Sequence, residues 1–187
     1  MPLILASQSP RRQQLLKSAG FDFTIQTKNV PEDYPADMPL QEVPAYLAEK
    51  KALPFLAEIN SSDWVISADT VVILGHEIIG KPTDLADAFR MLRKLSGQWH
   101  EVITGVCLLS QTKKNSFSES TMVKFKLLSE AEIEHYLKEF KPLDKAGSYG
   151  IQDWIGLIGV ERIEGCFYNV MGLPVSKVYQ ALKDIVL

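Results

Sequence analysis

The segment Ala6-Ser7-Gln8-Ser9-Pro10-Arg11-Arg12 brings two hydroxyls and two guanidiniums close together. Ser9-Pro10 is helix-start chemistry, with Ser9 as N-cap and Pro10 at the first helical position. Leu3-Ile4-Leu5-Ala6 just ahead reads as a short buried strand. The hydroxyls and arginines therefore stand where a strand feeds a helix N-terminus, a place where unpaired amides, the helix dipole and arginine forks bind anions. The same residues also admit a plain structural role, with Ser9 as a simple cap and the arginines solvated.

Asp69 is the second anomaly. It sits between Trp64-Val65-Ile66-Ser67-Ala68 and Val71-Val72-Ile73-Leu74, both rich in strand formers. An ionised carboxylate inside an apolar strand is costly unless a metal ion or a cationic neighbour offsets it; otherwise Asp69 caps a turn at a strand end. Glu32 lies in the loop Asn29-Val30-Pro31-Glu32-Asp33-Tyr34-Pro35, whose prolines exclude regular helix. It can join Asp69 around a hard divalent cation, which prefers carboxylate and water oxygens, or remain a surface acid. Lys50 and Lys51, Lys81 in Gly80-Lys81-Pro82, and the run Asp144-Lys145-Ala146-Gly147-Ser148-Tyr149-Gly150-Ile151-Gln152 supply further polar groups. Gly80 and Pro82 fix the backbone that presents Lys81.

Several other chemistries are weakened. His76, His100 and His135 show no metal-ligand spacing, and neither Gly-x-Ser-x-Gly nor a P-loop is present. Cys107 and Cys166 lie far apart outside any Cys-x-x-Cys pattern, so both read as structural thiols. The three tryptophans read as packing residues.

The elements that must position these groups follow from periodicity. A helix runs from Pro10 toward Gly20 with Leu15, Leu16 and Ala19 on its apolar face. Phe23-Thr24-Ile25 is a second strand. A helix from about Pro44 carries Tyr46, Leu47 and Leu53 at helical spacing, with Pro54 expected to kink or interrupt it. Thr83 is the expected cap of a helix over 84–95 built on Ala88, Met91, Leu92 and Leu95 and stopped by Gly97. Strands follow over 102–109 and about 121–127. Ser129-Glu130-Ala131-Glu132 has capping-box spacing before a helix reaching Phe140. The remainder reads as a Gly-rich stretch with a final helix near Pro174. Strands and helices mix without strict alternation, so the expected class is α/β with a mixed sheet flanked by helices.

The 187 residues are 46% hydrophobic, enough for one well-buried core. We expect one domain over 1–187, with room for two lobes. Net charge −3 and pI near 5.7 argue against a general grip on nucleic acid or anionic lipid, so phosphate chemistry must use a local basic cluster. No stretch approaches the roughly 20 apolar residues of a membrane span, and a cytoplasmic protein is expected.

Five blocks together resemble the Maf family: L-A-S-Q-S-P-R-R-Q-Q-L-L at 5–16, S-A-D-T-V-V at 67–72, G-K-P at 80–82, D-K-A-G-S-Y-G-I-Q at 144–152 and G-C-F-Y-N-V-M-G-L-P at 165–174. They stand in family order, and the resemblance runs from Leu3 to about Leu182. It implies hydrolysis of the α–β phosphoanhydride of a nucleoside triphosphate to monophosphate and pyrophosphate. It also implies a substrate cleft in a fold similar to inosine triphosphate pyrophosphatases, and a homodimer.

By that resemblance Asp69 matches the general base, and Ser7, Ser9 and Arg12 match the phosphate-binding loop. Lys51 and Lys81 match cleft lysines, and Glu32 matches an acid near the metal. Arg11, Thr70 and Gln152 occupy the positions separating a dTTP/UTP branch from a 7-methyl-GTP branch, and all three look like the former. One position departs, since Pro31 precedes Glu32 where the family loop usually has two adjacent acids. The resulting expectation is that Mg²⁺ or Mn²⁺ bridges the triphosphate, Asp69 and Glu32, while Arg12, Lys51 and Lys81 neutralise the leaving pyrophosphate. Arg11 and Gln152 would read the pyrimidine edge. The alternatives are a pyrophosphatase for purine or modified nucleotides, and, because the family is linked to inhibition of septum formation, a nucleotide-binding regulator of division.

Overall fold

The computed structural model describes residues 2–186, with side chains through Lys183. Met1 and Leu187, the ends of the expected domain, lie outside the described residues. In chain order the elements are β1 (Leu3–Leu5), α1 (Pro10–Ser18), β2 (Thr24–Ile25), α2 (Val43–Ala52), β3 (Trp64–Leu74), β4 (Glu77–Ile79), α3 (Leu85–Leu95), β5 (Trp99–Leu109), β6 (Lys114–Phe125), α4 (Glu130–Phe140), α5 (Trp154–Gly159), β7 (Val160–Glu164), α6 (Phe167–Val170) and α7 (Val175–Val186). The strands form one sheet in the order β2-β1-β3-β5-β6-β7, with β4 also paired to β3. Pairing is parallel for β1 with β2 and β3, and antiparallel for β3 with β4 and β6 with β7. The class is therefore mixed α/β, as the irregular alternation in the sequence implies.

The chain divides into two compact units. One comprises Met1–Thr70, Thr104–Glu119 and Gly172–Leu187; the other comprises Val71–Ile103 and Ser120–Met171.

In the first unit, β1 is buried along its length and aligns Leu5 with Ile66 of β3, which fixes where the chain leaves the sheet for α1. That helix buries Leu15 and Leu16. Helix α2 buries Val43, Leu47, Ala48 and Ala52 along one stripe. Pro54 falls in a 3-10 turn over Leu53–Phe55 directly after α2, so it ends the helix and does not kink it. Ala48, Ala52 and Phe55 pack with Ile4, Val65 and Cys107 in this unit's core. Gly105 on β5 permits the start of α2 to come close, because a Cβ there would lie 2.2 Å from the backbone of Pro44 and Ala45. No other residue type fits that contact without backbone movement.

The second unit has a core around Leu92, Leu95, Phe125, Ile133, Tyr136 and Tyr149. Its helices correct two expectations. Asp84, not Thr83, caps α3: Asp84 is extended and its side chain accepts from the Asp87 amide at 2.7 Å, while the Thr83 amide donates to Asp87 Oδ2 at 3.0 Å. The cap belongs to whichever polar residue stands immediately before the first helical residue, and this helix starts at Leu85. Met91 is only half-buried. The Gly-rich stretch is also more ordered than its composition suggests, since it contains α5, β7 and α6. Ile151 and Ile155 enter the core there, with Trp154 and Ile158 packed against it, and Gly156 permits close approach, since a Cβ there would lie 1.8 Å from the Ile151 carbonyl oxygen. Strand β6 begins well before residue 121, in a polar, exposed segment from Lys114 that carries no buried face to read.

Candidate active site

Period-two alternation along β3 puts Ser67 and Asp69 on one face, and both meet α2. The buried Ser67 hydroxyl donates to the Ala48 carbonyl at 2.5 Å, tying strand to helix one turn before Lys51. The Lys51 ammonium then donates to Asp69 Oδ1 at 2.5 Å and lies 2.7 Å from Glu32 Oε1. The Asp69 and Lys51 side chains are 13% and 20% exposed, so the pair is shielded yet reachable from solvent, while Glu32 is 52% exposed. The next lysine does the same for the next acid. Lys50 reaches both the carboxylate of Asp33, at 2.7 Å, and its carbonyl, at 3.0 Å. The Lys50 bond to the carboxylate, followed by a backbone bond from Asp33 itself and the Lys50 charge, holds the Asp33 carboxyl below its usual pKa. The proline-containing loop is thereby pinned to α2 at two consecutive positions.

Arg12 organises the opposite side of β3. Its Nε donates to the Gly172 carbonyl at 2.8 Å, and Nη1 donates to the Ala68 carbonyl at 2.8 Å and to Ser7 Oγ at 3.3 Å. Nη2 donates to Thr70 Oγ1 at 3.0 Å. Burial pushes the guanidinium pKa down, and the charge of Asp69 pushes it back up. With five N–H groups available to an arginine, these four bonds make Arg12 a clamp joining α1, β3 and the Gly172 turn. Gly172 has φ +113, a conformation that only glycine adopts readily.

Ser7 Oγ also accepts from the Ser9 amide at 3.2 Å. Ser9 is the N-cap of α1, as its sequence context suggests, but its side chain makes no capping bond. Arg11 is half-buried in the first turn of that helix. So Ser7, Ser9, Arg11, Arg12, Glu32, Lys51, Asp69 and Thr70 all lie in the first unit, whereas Lys81 and Gln152 are exposed residues of the second.

Sequence reasoning missed Ser67, Thr104 and Gly172. Thr104 is fully buried on β5, and its hydroxyl lies 2.9 Å from that of Thr70. A hydroxyl within the apolar run Val102–Leu109 is the same kind of signal that exposed Asp69, but threonine is common in strands and the signal is weak.

Asp69 and Glu32 converge on a single cation, the Lys51 ammonium. Among the described residues no group of three or more His, Cys, Asp or Glu could hold a metal ion. Two carboxylates converging in this way suit a hard divalent ion that keeps waters and takes phosphate oxygens from a substrate, and do not suit an ion needing an all-protein cage.

Among the described residues no helix is long and apolar enough to cross a membrane. In comparison with known proteins, the chain is 50% identical over 187 residues to a dTTP/UTP pyrophosphatase of Porphyromonas gingivalis strain W83, covering 97% of this chain and 93% of that protein. It is 45% identical over 184 residues to a dTTP/UTP pyrophosphatase of Bacteroides thetaiotaomicron, covering 98% and 95%. Against the solved structure of the Staphylococcus aureus Ham1 protein the TM-score is 0.49 at 14% identity, over 67% of this chain and 72% of that one, a likeness too weak to carry an argument. Residues 2–185 match the family model described as Maf-like protein, and the chain belongs to the Maf family.

Proposed function

We propose that this chain is a nucleoside triphosphate pyrophosphatase that cleaves dTTP and UTP between the α and β phosphates, releasing the monophosphate and pyrophosphate. The observation that carries the reading is the Lys51 ammonium shared by Asp69 and Glu32, a convergence of two acids on one cation. Family membership and the printed activity of relatives 44–50% identical support the same reaction and the same substrates.

Asp69 and Glu32 would hold Mg²⁺ or Mn²⁺, which would supply charge neutralisation and a more acidic water at neutral pH. Asp69, partly open to solvent, orients or deprotonates the attacking water, acting as base or as metal ligand. Lys51 follows the negative charge toward the phosphates as a nucleotide enters, since an ammonium on a flexible stem exchanges partners readily. The uncapped first turn of α1, with Ser7, Ser9 and Arg11, holds phosphate oxygens. Arg12 contributes its charge mainly at a distance, because four of its bonds go to protein groups. Lys81 as a leaving-group neutraliser, Arg11 and Gln152 as readers of the pyrimidine, and a homodimeric cytoplasmic enzyme belong to the proposal on the resemblance alone.

The test incubates the protein and Mg²⁺ or Mn²⁺ with dTTP, UTP, CTP, GTP, 7-methyl-GTP and ITP, resolving monophosphate plus pyrophosphate from diphosphate plus phosphate. Preferential formation of dTMP and UMP is the expected result. Cleavage of purine nucleotides alone overturns the substrate assignment, and nucleotide binding without product favours the regulator of septum formation.

A further inference from the structure

We infer that Lys50 is a positioning residue that grips Asp33 and thereby keeps the adjacent Glu32 carboxylate beside Asp69, ready for a divalent cation; this rests on the pyrophosphatase reading above. The loop that carries Glu32 and Asp33 runs from β2 to α2 without helix or strand, so side-chain ties fix its path. Two of those ties come from neighbouring residues of one helix. Successive residues of an α-helix point about 100° apart, so Lys50 and Lys51 diverge. They reach two successive loop residues, Asp33 and Glu32.

The two ties are not equivalent. Lys51 lies 2.7 Å from Glu32 Oε1 and 2.5 Å from Asp69 Oδ1, so it already serves as the cation that both acids share, and a divalent ion competes with it. Its hold on Glu32 is given up when that ion enters. Lys50 instead donates to the Asp33 carboxylate at 2.7 Å and to the Asp33 carbonyl at 3.0 Å, gripping side chain and main chain together. The Lys50 side chain is 25% exposed and its ammonium lies 5.9 Å from the centre of the Tyr46 ring, so the grip comes from a packed stem. This second tie does not compete with the cation. It persists while Lys51 changes partners, and the loop need not be ordered afresh around the incoming ion.

A positioning role and a plain charge effect have opposite signs. As a nearby positive charge alone, Lys50 opposes a cation, and its removal should tighten binding. As the grip on the loop, its removal should weaken binding. The experiment titrates Mn²⁺ into the nucleotide-free protein and follows the free-ion paramagnetic resonance signal in the wild type, Lys50→Met, Lys50→Arg, Asp33→Asn and the double variant Lys50→Met/Asp33→Asn. The expected result is binding about threefold weaker in Lys50→Met, the scale of one partly exposed charged pair, with recovery in Lys50→Arg. The double variant should also stay weaker than the wild type, because both changes break the same bond. Tighter or unchanged binding in Lys50→Met overturns the inference, and so does a double variant of wild-type affinity, the mark of simple charge compensation. Asp69→Asn identifies the site and should weaken binding at least about tenfold. Mn²⁺ binding that is indifferent to Asp69→Asn, or absent from the wild type, overturns the inference. If Lys50→Met fails to fold, as judged by thermal denaturation, Lys50→Gln replaces it with the same readout. A wild type that binds Mn²⁺ with the expected pattern but cleaves no nucleotide overturns the functional reading alone.

Discussion

In the first unit α1 opens at Ser9 without a side-chain bond to its first turn, whereas in the second unit α3 and α4 open on Asp84 and Ser129, each accepting from the amide three residues on. At α4 the closure is reciprocal, because Glu132 Oε2 also accepts from the Ser129 amide at 2.7 Å. The titratable groups differ too. The partly buried charge of Arg12 is held by bonds to Ala68, Gly172, Ser7 and Thr70. In the second unit His100 is buried against Phe125 and Tyr149, bonded through Nε2 to the Tyr149 hydroxyl at 2.7 Å, and burial depresses its pKa to about 4. The first unit keeps the Arg12 charge partly buried and leaves the start of α1 uncapped; the second holds His100 neutral and caps α3 and α4.

The largest effect that sharpens this contrast is expected from Asp69→Asn. The substitution preserves shape but leaves Lys51 with Glu32 alone, so turnover of dTTP should fall by about 10³-fold or more, with the melting temperature little changed. Near-normal turnover would break the contrast at its centre.

Next in size is the pH response of His100. Its folded pKa lies below the unfolded value of 6.5, so the unfolded chain takes up the proton first as pH falls. The stability associated with neutral His100 is full above pH 6.5 and is lost as pH drops from 6.5 toward about 4, a total on the order of 3 kcal/mol. Urea melts of the wild type and His100→Gln over that range should differ in slope, with the variant flatter. Parallel curves would mean that this core does not suppress the charge.

The smallest effect concerns the caps. Ser129→Ala removes a bonded cap and should cost about 1 kcal/mol in denaturant melts. Ser9→Ala removes a hydroxyl with no capping bond and should cost much less stability while raising KM for nucleotide. Equal losses of stability would erase the distinction between the two helix starts.

Much of this was legible in the sequence, because local chemistry is written locally. Ser129 and Glu132 stand three apart, and the capping box forms at that spacing. Ser9-Pro10 marked the start of α1, and the polar pair Asp69-Thr70 inside an apolar run marked the candidate site on β3. Asp84 was misread as a helical residue because Thr83 is an equally good cap by type, and only the backbone decides which stands in the extended position.

The role of Arg12 was not legible at all. Two of its acceptors are the carbonyls of Ala68 and Gly172, and every residue type carries a carbonyl, so no side-chain pattern announces the bond. The sequence by itself determined the family, the mixed α/β class and the residues rich enough in charge to form a site, since these follow from side-chain type and short-range spacing. Only the tertiary structure decided that Arg12 is a clamp, that Lys51 joins Asp69 to Glu32, and that the hydroxyls of Thr70 and Thr104 meet. Each of those depends on which distant backbone segment the sheet brings within about 3 Å, the reach of a hydrogen bond.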